Sequence, residues 1–243
     1  MSNKTYISDT IKKGLRRTTA RSLIKAAGFT DEEINRPFIG VANSYTNIFP
    51  GHSNLDKIGQ AVMDGVRMAG GTPVMFETIS ICDGICMGTP EMKYSLPSRE
   101  LIANSVETMA RAHGCDGLVL VASCDKIIPG MVIGALRVNI PTVIITGGPM
   151  LQGKFRNKLN DMGPVESLAK LKNGEITEDE FKQYENEICS GIGSCPGMFT
   201  ANSMACMMEI LGLGLPGNGT VAAVRAERMR MAKKAGMLVL DLV

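Results

Sequence analysis

A loop of reactive side chains, Ser123-Cys124-Asp125-Lys126, directly follows an apolar run at residues 118–122. Thiolates bind soft iron, whereas carboxylates bind hard cations such as Mg²⁺. Adjacent residues of these two types that point in different directions can therefore serve two metals at once. The plainer alternative is a buried cysteine beside a surface Asp–Lys pair. Because ligands of open α/β sheets bind beyond the carboxyl ends of the strands, the position after a strand favours a metal-handling active site.

Other loops place similar chemistry beside predicted strands and helices. Asp83 follows Cys82 in the loop after the apolar run 72–78, and it is either an oxygen ligand for Mg²⁺ or a turn residue that accepts backbone hydrogen bonds. Cys195 lies in a glycine-rich segment before a predicted helix. It is either a thiolate stabilised by the helix N-terminus or a small apolar residue under a turn. His52 follows the first strand, but a lone histidine supports little.

The remaining cysteines and the second histidine carry weaker signals. Cys206 is predicted to lie in the core, on the apolar face of its helix. Cys115 is predicted to connect a helix to a strand, and His113 to end that helix, where a cation is favourable. The spacings of Cys86 and Cys189 match no recognised ligand pattern.

Two nucleotide-binding patterns are present but fail in their context. Gly212, Gly214 and Gly217 match G-x-G-x-x-G, yet they end a predicted helix instead of following a strand. Residues 148–155 approach a phosphate-binding loop. They place Phe155 where a Ser or Thr hydroxyl should reach Mg²⁺. We therefore expect neither segment to bind a nucleotide.

The elements that position these loops alternate between strands and helices. Strands are predicted at residues 38–42, 72–78, 118–122 and 142–146, and helices between them at 55–69, 99–113 and 131–138. This alternation is typical of stacked βαβ units in an α/β protein with a mostly parallel sheet. The run 118–122 is apolar on both faces, which predicts a central strand covered by helices on either side.

The second half of the chain has a different character. Residues 151–187 are charged and turn-rich, which predicts a peripheral insertion with a helix at 177–187. Further helices are predicted at 200–211 and 220–235. Residues 238–243 are apolar and lack a polar tail. Because chain termini are usually solvated, we expect the sequence to be part of a longer protein.

Composition excludes several functional classes. The chain has 243 residues, of which 44% are hydrophobic and 21% charged, with a net charge of +2. No basic block stands out, the aromatic fraction is 5% and Trp is absent, so neither nucleic acid nor a membrane surface is an expected partner. The polar N-terminal segment and the lack of a long apolar run predict a cytoplasmic protein. In that reducing compartment the seven cysteines are not expected to form disulfides.

A series of residue groups in fixed order resembles a known family. The groups are Val41-Ala42-Asn43-Ser44, Pro50-Gly51-His52, Asp83-Gly84-Ile85, Met87-Gly88, Tyr94-Ser95-Leu96-Pro97-Ser98-Arg99-Glu100, Ser123-Cys124-Asp125-Lys126, Pro129-Gly130-Met131, Thr146-Gly147-Gly148-Pro149-Met150, Gly193-Ser194-Cys195, Gly197-Met198 and Thr200-Ala201-Asn202-Ser203-Met204. Together they resemble the N-terminal domain of the dihydroxy-acid dehydratase family, which also holds phosphogluconate and other sugar-acid dehydratases. The resemblance covers nearly the whole chain.

The resemblance implies a fold and a set of ligands. Residues 1–243 would form one N-terminal domain, a three-layer α/β/α sandwich with a mostly parallel sheet. Cys124 and Cys195 would hold an iron–sulfur cluster. Asp83 and Asp125 would bind Mg²⁺ together with Lys126, which would be carbamylated because an ammonium group repels a cation. The expected partners are a small dihydroxy-acid substrate and, in a homodimer, a second copy of the chain.

The implied activity is that of a hydro-lyase in valine and isoleucine biosynthesis, which removes water from 2,3-dihydroxy-3-methyl acids to give 2-oxo acids. A sugar-acid dehydratase and a non-catalytic iron–sulfur or nucleotide-binding module are the alternatives. Some relatives have a third cluster cysteine where this chain has Gly51. The cluster type, [2Fe–2S] or [4Fe–4S], therefore stays open, as does a third ligand among Cys82, Cys86 and Cys189. The family's serine base and a further Mg²⁺ carboxylate lie in another domain, so we expect no turnover by this chain alone.

Overall fold

Four parallel strands form the central sheet of the protein. The computed structural model describes residues 5–156, 158–159 and 163–243. The strands are β1 (Phe38–Asn43), β2 (Thr72–Glu77), β3 (Gly117–Ala122) and β4 (Thr142–Thr146). They are ordered β2-β1-β3-β4, with Val41 of β1 in register with Met75 and Val119 of its two neighbours. All four strands agree with the predicted ones to within a residue at each end, and β3 is buried throughout.

Helices cover both faces of this sheet. In chain order the helices are α1 (Asp9–Lys12), α2 (Thr18–Ala26), α3 (Asp31–Ile34), α4 (Leu55–Met68), α5 (Asp83–Cys86), α6 (Ser95–Ala112), α7 (Ile127–Val138), α8 (Pro164–Lys172), α9 (Glu178–Glu187), α10 (Thr200–Ile210) and α11 (Ala226–Leu242), with 3₁₀ turns at Leu15–Arg17 and Pro90–Tyr94. Helices α4 and α11 lie on one face, and α6, α7 and α10 lie on the other.

The alternation of side chains along β3 separates the two layers of core. Val119 and Val121 belong to the buried cluster that includes Ile58 of α4 and Ala235 of α11. Leu120 belongs to the opposite cluster, with the buried side chains of α6 and α7. Successive side chains of a strand point to opposite faces, so a wholly apolar strand needs a helical layer on each side. The expected three-layer α/β/α sandwich is confirmed.

The two helices of the first layer cross at glycines. A Cβ atom on Gly236 would lie 2.2 Å from the carbonyl oxygen of Val62, and one on Gly65 would lie 2.0 Å from that of Lys233. Neither approach leaves room for a side chain, so these glycines allow α4 and α11 to pack backbone against backbone.

Several helix boundaries differ from the predicted ones. Helices α6 and α7 begin four residues earlier than predicted, with Pro97 and Pro129 inside their first turns, where a missing N–H leaves no hydrogen bond unmade. The helix predicted at 220–235 was wrong in position, because α11 spans Ala226–Leu242. Its residue Val239 is fully buried against the sheet. The apolar stretch at 238–243 is thus largely the core-facing end of a helix.

The N-terminal helices were not predicted, and a buried carboxylate attaches them to the sheet. Asp116 Oδ1 accepts a hydrogen bond from Ser8 N at 2.8 Å, and Asp116 Oδ2 accepts from Ser8 Oγ at 2.6 Å and from Phe38 N at 2.7 Å. Helix α3 begins with a capping box between Thr30 and Glu33. Helices α1 and α3 have four residues each, which is too short for a hydrophobic period to reveal them.

The charged segment contains a small hairpin, β5 (Lys154–Phe155) and β6 (Lys158–Leu159), followed by α8 and α9. The predicted helix at 177–187 is confirmed, with Thr177 as its N-cap in a second capping box. Tyr184 is buried and packs edge-on against Phe155 with 5.5 Å between ring centroids. Residues 157 and 160–162 of the predicted insertion lie outside the described residues. Within the described ranges, no helix is both long enough and apolar enough to cross a membrane.

Candidate metal-binding site

The loops that carry the predicted site residues meet beyond the carboxyl ends of β1, β2 and β3. Backbone hydrogen bonds continue the sheet for one residue at this edge. Thr78 N donates to Asn43 O at 2.8 Å, and Ser44 N donates to Val121 O at 3.1 Å. Because β1 lies between β2 and β3, the loops after these two strands reach each other across its end.

His52 connects two of these loops from inside the core. Its side chain is fully buried, with Nδ1 2.5 Å from Ser44 O and Nε2 2.8 Å from Ser123 O. Burial lowers the pKa of His52 below its usual range, although both hydrogen bonds oppose that shift. A neutral imidazole has one N–H and donates to one of the two carbonyls at a time. His52 thus holds the backbone immediately before Cys124.

The glycine-rich segment reaches the same edge through backbone pairing. Gly193 N donates to Pro50 O, and Ser194 N donates to Gly148 O, each at 2.9 Å. Gly193 has a φ of +121°, and a Cβ atom there would lie 2.4 Å from Met150 N, so only glycine fits. This pairing brings Cys195 to the edge of the sheet where the other loops meet.

Two environments were considered for Cys195. Helix α10 begins at Thr200, as predicted, so residues 196–199 separate Cys195 from the helix N-terminus that could have stabilised its thiolate. Burial and the nearby charge of Cys82 instead raise the pKa of the Cys195 thiol. A metal ion would therefore have to displace a proton from this sulfur.

Asp83, Asp125 and Lys126 form one ion-paired cluster. Lys126 Nζ lies 2.8 Å from Asp83 Oδ2 and 2.5 Å from Asp125 Oδ2. The three side chains are 15–23% exposed, and Ser95 Oγ donates a hydrogen bond to Asp83 Oδ1. The structure therefore brings together the three residues predicted to bind Mg²⁺, with two carboxylates from different loops directed at one cation.

In this cluster, attraction between the opposite charges outweighs the free-energy cost of burying them. Burial disfavours the charged form of Asp83, but hydrogen bonds from Lys126 and Ser95 hold its pKa below the usual range. Burial likewise disfavours the Lys126 ammonium, and the two carboxylates more than compensate and raise its pKa. The point between the carboxylates is thus strongly selective for positive charge. In the described part of the chain, no group of three His, Cys, Asp or Glu side chains is spaced to hold a single metal ion.

Two cysteines lie beside the ion-paired cluster. Cys124 has a left-handed backbone conformation with φ +72°, and it packs with Cys82 against the same buried apolar cluster. Interaction with Cys124, together with hydrogen bonds from backbone N–H groups, lowers the pKa of Cys82 to about 6. The same interaction and burial raise the pKa of Cys124.

The other cysteines have different surroundings. Cys86 Sγ lies 3.4 Å from Met92 Sδ and 3.6 Å from Asp83 O, while Cys189 is exposed. Cys115 is buried between α6 and β3 as predicted, and burial raises its pKa to about 12. The core prediction for Cys206 was wrong. Its side chain is only half-buried, because α10 packs through Ala201, Ala205 and Met208.

The two nucleotide patterns lack the required structure, as expected. Lys154 begins strand β5 instead of a helix, so the loop before it cannot present a helix N-terminus to a phosphate. Gly212 follows the end of α10. His113 lies at the exposed C-terminal end of α6, as predicted, with Nδ1 3.0 Å from Met109 O.

Two contributors to the site could not be identified from the sequence. Ser95, which contacts Asp83, lies 12 residues further along the chain and had no assigned role. Cys82 was one of three equal candidates. The only available signal was its repetition of the Cys-Asp dipeptide found at Cys124 and Asp125.

Comparison with known proteins identifies the family. Residues 36–243 match the family model described as dihydroxy-acid/6-phosphogluconate dehydratase N-terminal. The chain is 56% identical over 237 residues to a dihydroxy-acid dehydratase of Acetivibrio thermocellus, covering 97% of this chain and 43% of that relative. It is 57% identical over 237 residues to the enzyme so named from Caldanaerobacter subterraneus, with the same coverage.

A third relative is shorter. A dihydroxy-acid dehydratase sequence of Clostridium pasteurianum is 56% identical over 237 residues, which cover 97% of this chain and 83% of that relative. The chain spans less than half the length of the first two relatives, whose coverage is 43%. The matched region includes every predicted site residue, from Asp83 to Cys195. The chain therefore belongs to the dihydroxy-acid/6-phosphogluconate dehydratase family and corresponds to its N-terminal region.

Proposed function

We propose that this chain supplies the metal-binding half of a dihydroxy-acid dehydratase. The reaction removes the C2 proton and the C3 hydroxyl of a 2,3-dihydroxy-3-methyl acid as water, and the resulting enol becomes a 2-oxo acid, as in valine and isoleucine biosynthesis. The observation that carries the proposal is the convergence of Asp83 and Asp125 on Lys126 beside the sulfurs of Cys82 and Cys124. The names of the relatives support this substrate class.

The ion-paired cluster suits a divalent cation once Lys126 is modified. Two carboxylates from separate loops already enclose one positive charge. Carbamylation would replace the Lys126 ammonium with a carbamate, leaving three anionic oxygen donors at this point. Oxygen donors of this kind are the ligands that Mg²⁺ prefers. We propose Asp83, Asp125 and carbamylated Lys126 as the Mg²⁺ ligands from this chain.

The sulfurs suit an iron–sulfur cluster, for which thiolates are the usual ligands. We propose that Cys124 and Cys195 bind it. When bound, the two metals would supply Lewis acidity for the departing hydroxyl and for the C2 proton. The chain's own residues keep the ligands in place: Ser95 orients the Asp83 carboxylate, and His52 fixes the backbone at Ser123. We assign the proton-abstracting base to no residue of this chain.

A chimera tests the proposal. This chain replaces the matching 43% of the Acetivibrio thermocellus relative, and formation of 2-oxo acid from 2,3-dihydroxy-3-methylbutanoate is measured without oxygen. We expect turnover by the chimera, and a loss of at least about 10²-fold in Asp83→Asn, beyond the roughly 10–100-fold typical of removing a group that only orients a metal ligand. Glu91→Gln, an exposed carboxylate in the same region, is the matched control and should remain active.

The assay also separates the alternatives within the family. A folded chimera that contains iron and sulfide but forms no 2-oxo acid would contradict the proposal. Faster dehydration of 6-phosphogluconate than of the branched acid would instead assign the chain to the sugar-acid branch that the family description includes. Circular dichroism of each variant distinguishes a chemical defect from a folding defect.

We also propose that the protein assembles as a homodimer, as the family resemblance implies. Apolar side chains at the edge strand β2 and on α2 support an interface there, since Met75 is 45% and Leu23 67% exposed. Such surfaces commonly mark protein contacts. Light scattering should give twice the chain mass at micromolar concentration, and a monomer at every concentration would contradict the proposal.

A further inference from the structure

We propose that Cys82 is the third thiolate ligand of the iron–sulfur cluster, beside Cys124 and Cys195. The proposal rests on the proposed function, because it assigns a residue to the same cluster. From the sequence, Cys82, Cys86 and Cys189 were equally possible as this third ligand. With Cys82 as the ligand, the loop after β2 would supply one ligand to the iron–sulfur cluster and one, Asp83, to the Mg²⁺ site.

The first argument is a repeated Cys-Asp pair at the edge of the sheet. Cys82 and Asp83 follow β2, and Cys124 and Asp125 follow β3, on the two strands that flank β1. Both cysteine side chains pack against the same buried apolar cluster, and Cys124 is also the largest influence that lowers the pKa of Cys82. The two cysteines therefore lie together at this edge of the sheet.

The carboxylates of the same two pairs meet separately. Asp83 Oδ2 and Asp125 Oδ2 lie 2.8 Å and 2.5 Å from Lys126 Nζ. Each loop thus directs its cysteine to one point and its aspartate to another. Soft sulfur ligands and hard oxygen ligands are sorted into two adjacent sites, which is the division that iron and Mg²⁺ require.

The backbone at Cys124 supports a functional role for this residue. Its φ of +72° is one of three positive values at non-glycine residues in the described ranges. This conformation is unfavourable for a side chain with a Cβ atom, and such residues are concentrated at functional sites. The strain is retained at a residue that packs with Cys82 against the same buried apolar cluster.

Cys195 approaches the same pair from the other side of the edge. The hydrogen bonds of Gly193 to Pro50 and of Ser194 to Gly148 hold its loop at this edge, and the charge on Cys82 contributes to the raised pKa of Cys195. A Cβ atom at Gly51 would lie 3.7 Å from the Cα of Ser194. Gly51 thus adjoins this loop and supplies no side chain that could bind a metal.

The other two cysteines in the region are poorer ligands. Cys86 Sγ contacts Met92 Sδ and the carbonyl of Asp83 instead of the sulfur pair. Cys189 is exposed, and its backbone forms an isolated antiparallel bridge with Gln152. Cys82 is therefore the cysteine that the geometry favours.

Differential alkylation tests the assignment without relying on activity. The chain is loaded anaerobically with iron and sulfide, treated with iodoacetamide, and compared with the metal-free chain by mass spectrometry of each cysteine peptide. In the metal-free chain we expect Cys82 to react fastest and Cys124 and Cys195 more slowly, because the pKa values of their thiols are raised. All three should be protected at least tenfold in the loaded chain. Cys86 and Cys189 should react at similar rates in both.

The outcomes separate this proposal from the one on which it rests. Protection of Cys124 and Cys195 with unchanged labelling of Cys82 would overturn the Cys82 assignment and leave the proposed function intact. Failure to retain any iron or sulfide, with all cysteines labelled, would overturn both.

A matched pair of variants distinguishes ligation from simple shielding. Cys82→Ala should lose iron to a chelator at least tenfold faster than the unmodified chain, with a changed visible spectrum, whereas Cys86→Ala should behave like the unmodified chain. Circular dichroism of the metal-free variants checks that both are folded. Unchanged iron content, release rate and spectrum in a folded Cys82→Ala variant would overturn the assignment.

Discussion

The Lys126 ammonium lies 2.8 Å from Asp83 Oδ2, although the two residues are separated by 43 positions in the chain. This ion pair joins the loops after β2 and β3 across the end of β1. The two side chains are 23% and 16% exposed, so the pair is less screened than a surface pair and still accessible to a small molecule. The position of the ammonium marks where we place the Mg²⁺ ion.

Mg²⁺ binding is predicted to depend on bicarbonate. Without carbon dioxide Lys126 remains an ammonium that repels the ion, whereas the carbamate adds an anionic ligand. With bicarbonate, Mg²⁺ at about 100-fold above its Kd should raise the Tm by about 5 °C or more. ¹³C-labelled bicarbonate should give a carbamate resonance in the NMR spectrum.

Arginine provides the contrasting variant, because it keeps the positive charge but does not form the carbamate. Lys126→Arg should show neither the bicarbonate-dependent rise in Tm nor the resonance. Lys93→Arg, at an exposed position, should show both. A Mg²⁺ effect that is independent of bicarbonate, or that persists in Lys126→Arg, would argue against a carbamylated ligand.

Stability is predicted to fall in mild acid because of His52. Burial lowers the pKa of His52 in the folded chain, so below about pH 6.5, the usual value for histidine, the unfolded chain binds more protons. The contribution of neutral His52 to the free energy of unfolding is fully present above that pH. It is lost as the pH falls, with a slope of at most about 1.4 kcal/mol per pH unit.

Urea unfolding between pH 7.5 and 5.5 measures this slope. His52→Gln should reduce it, whereas His113→Gln should not, because His113 is exposed at the end of α6. The chain has two histidines, so this comparison covers all histidine titration. Equal slopes in the His52→Gln variant and the unmodified chain would show that the imidazole does not titrate as described.

The crossing of α4 and α11 is predicted to tolerate no added methyl group. Gly236→Ala would place Cβ 2.2 Å from Val62 O and should lower the free energy of unfolding by about 1–3 kcal/mol, the usual effect of overpacking. Lys234→Ala, exposed on the same helix, should change it by less than about 0.5 kcal/mol. Equal stabilities of the two variants by urea unfolding would mean that the helices are less closely packed.

The sheet and its covering helices could be predicted because their signals are local. Each strand is an apolar run, and β3 is apolar on both faces, which requires two helical layers. Positions that depend on partners far along the chain were harder to predict. The start of α11 depends on its packing against α4 and the sheet. The half-buried position of Cys206 depends on which face of α10 packs against the core. A hydrophobic period in the sequence reveals neither.

The same distinction between local signals and long-range contacts applies to the site. The residue types at Asp83 and Asp125 predicted oxygen ligands, Lys126 was assigned only through the family resemblance, and the strand positions predicted that their loops would lie at one edge of the sheet. The burial of His52 between two carbonyls and the contact of Ser95 with Asp83 arise only from folding. The helix after Cys195 begins at Thr200 as predicted, but how far its N-terminus lies from the Cys195 sulfur depends on the fold of residues 196–199.

The most direct test of the account is the amount of iron and acid-labile sulfide bound per chain after anaerobic reconstitution and desalting. We predict near-equal amounts, about two to four of each, as expected for a [2Fe–2S] or [4Fe–4S] cluster. Cys124→Ala should retain less than about a tenth, while Cys206→Ala should match the unmodified chain, since Cys206 lies on α10 outside the sulfur group. A folded chain that retains neither iron nor sulfide, or a Cys124→Ala variant that retains both in full, would contradict the account.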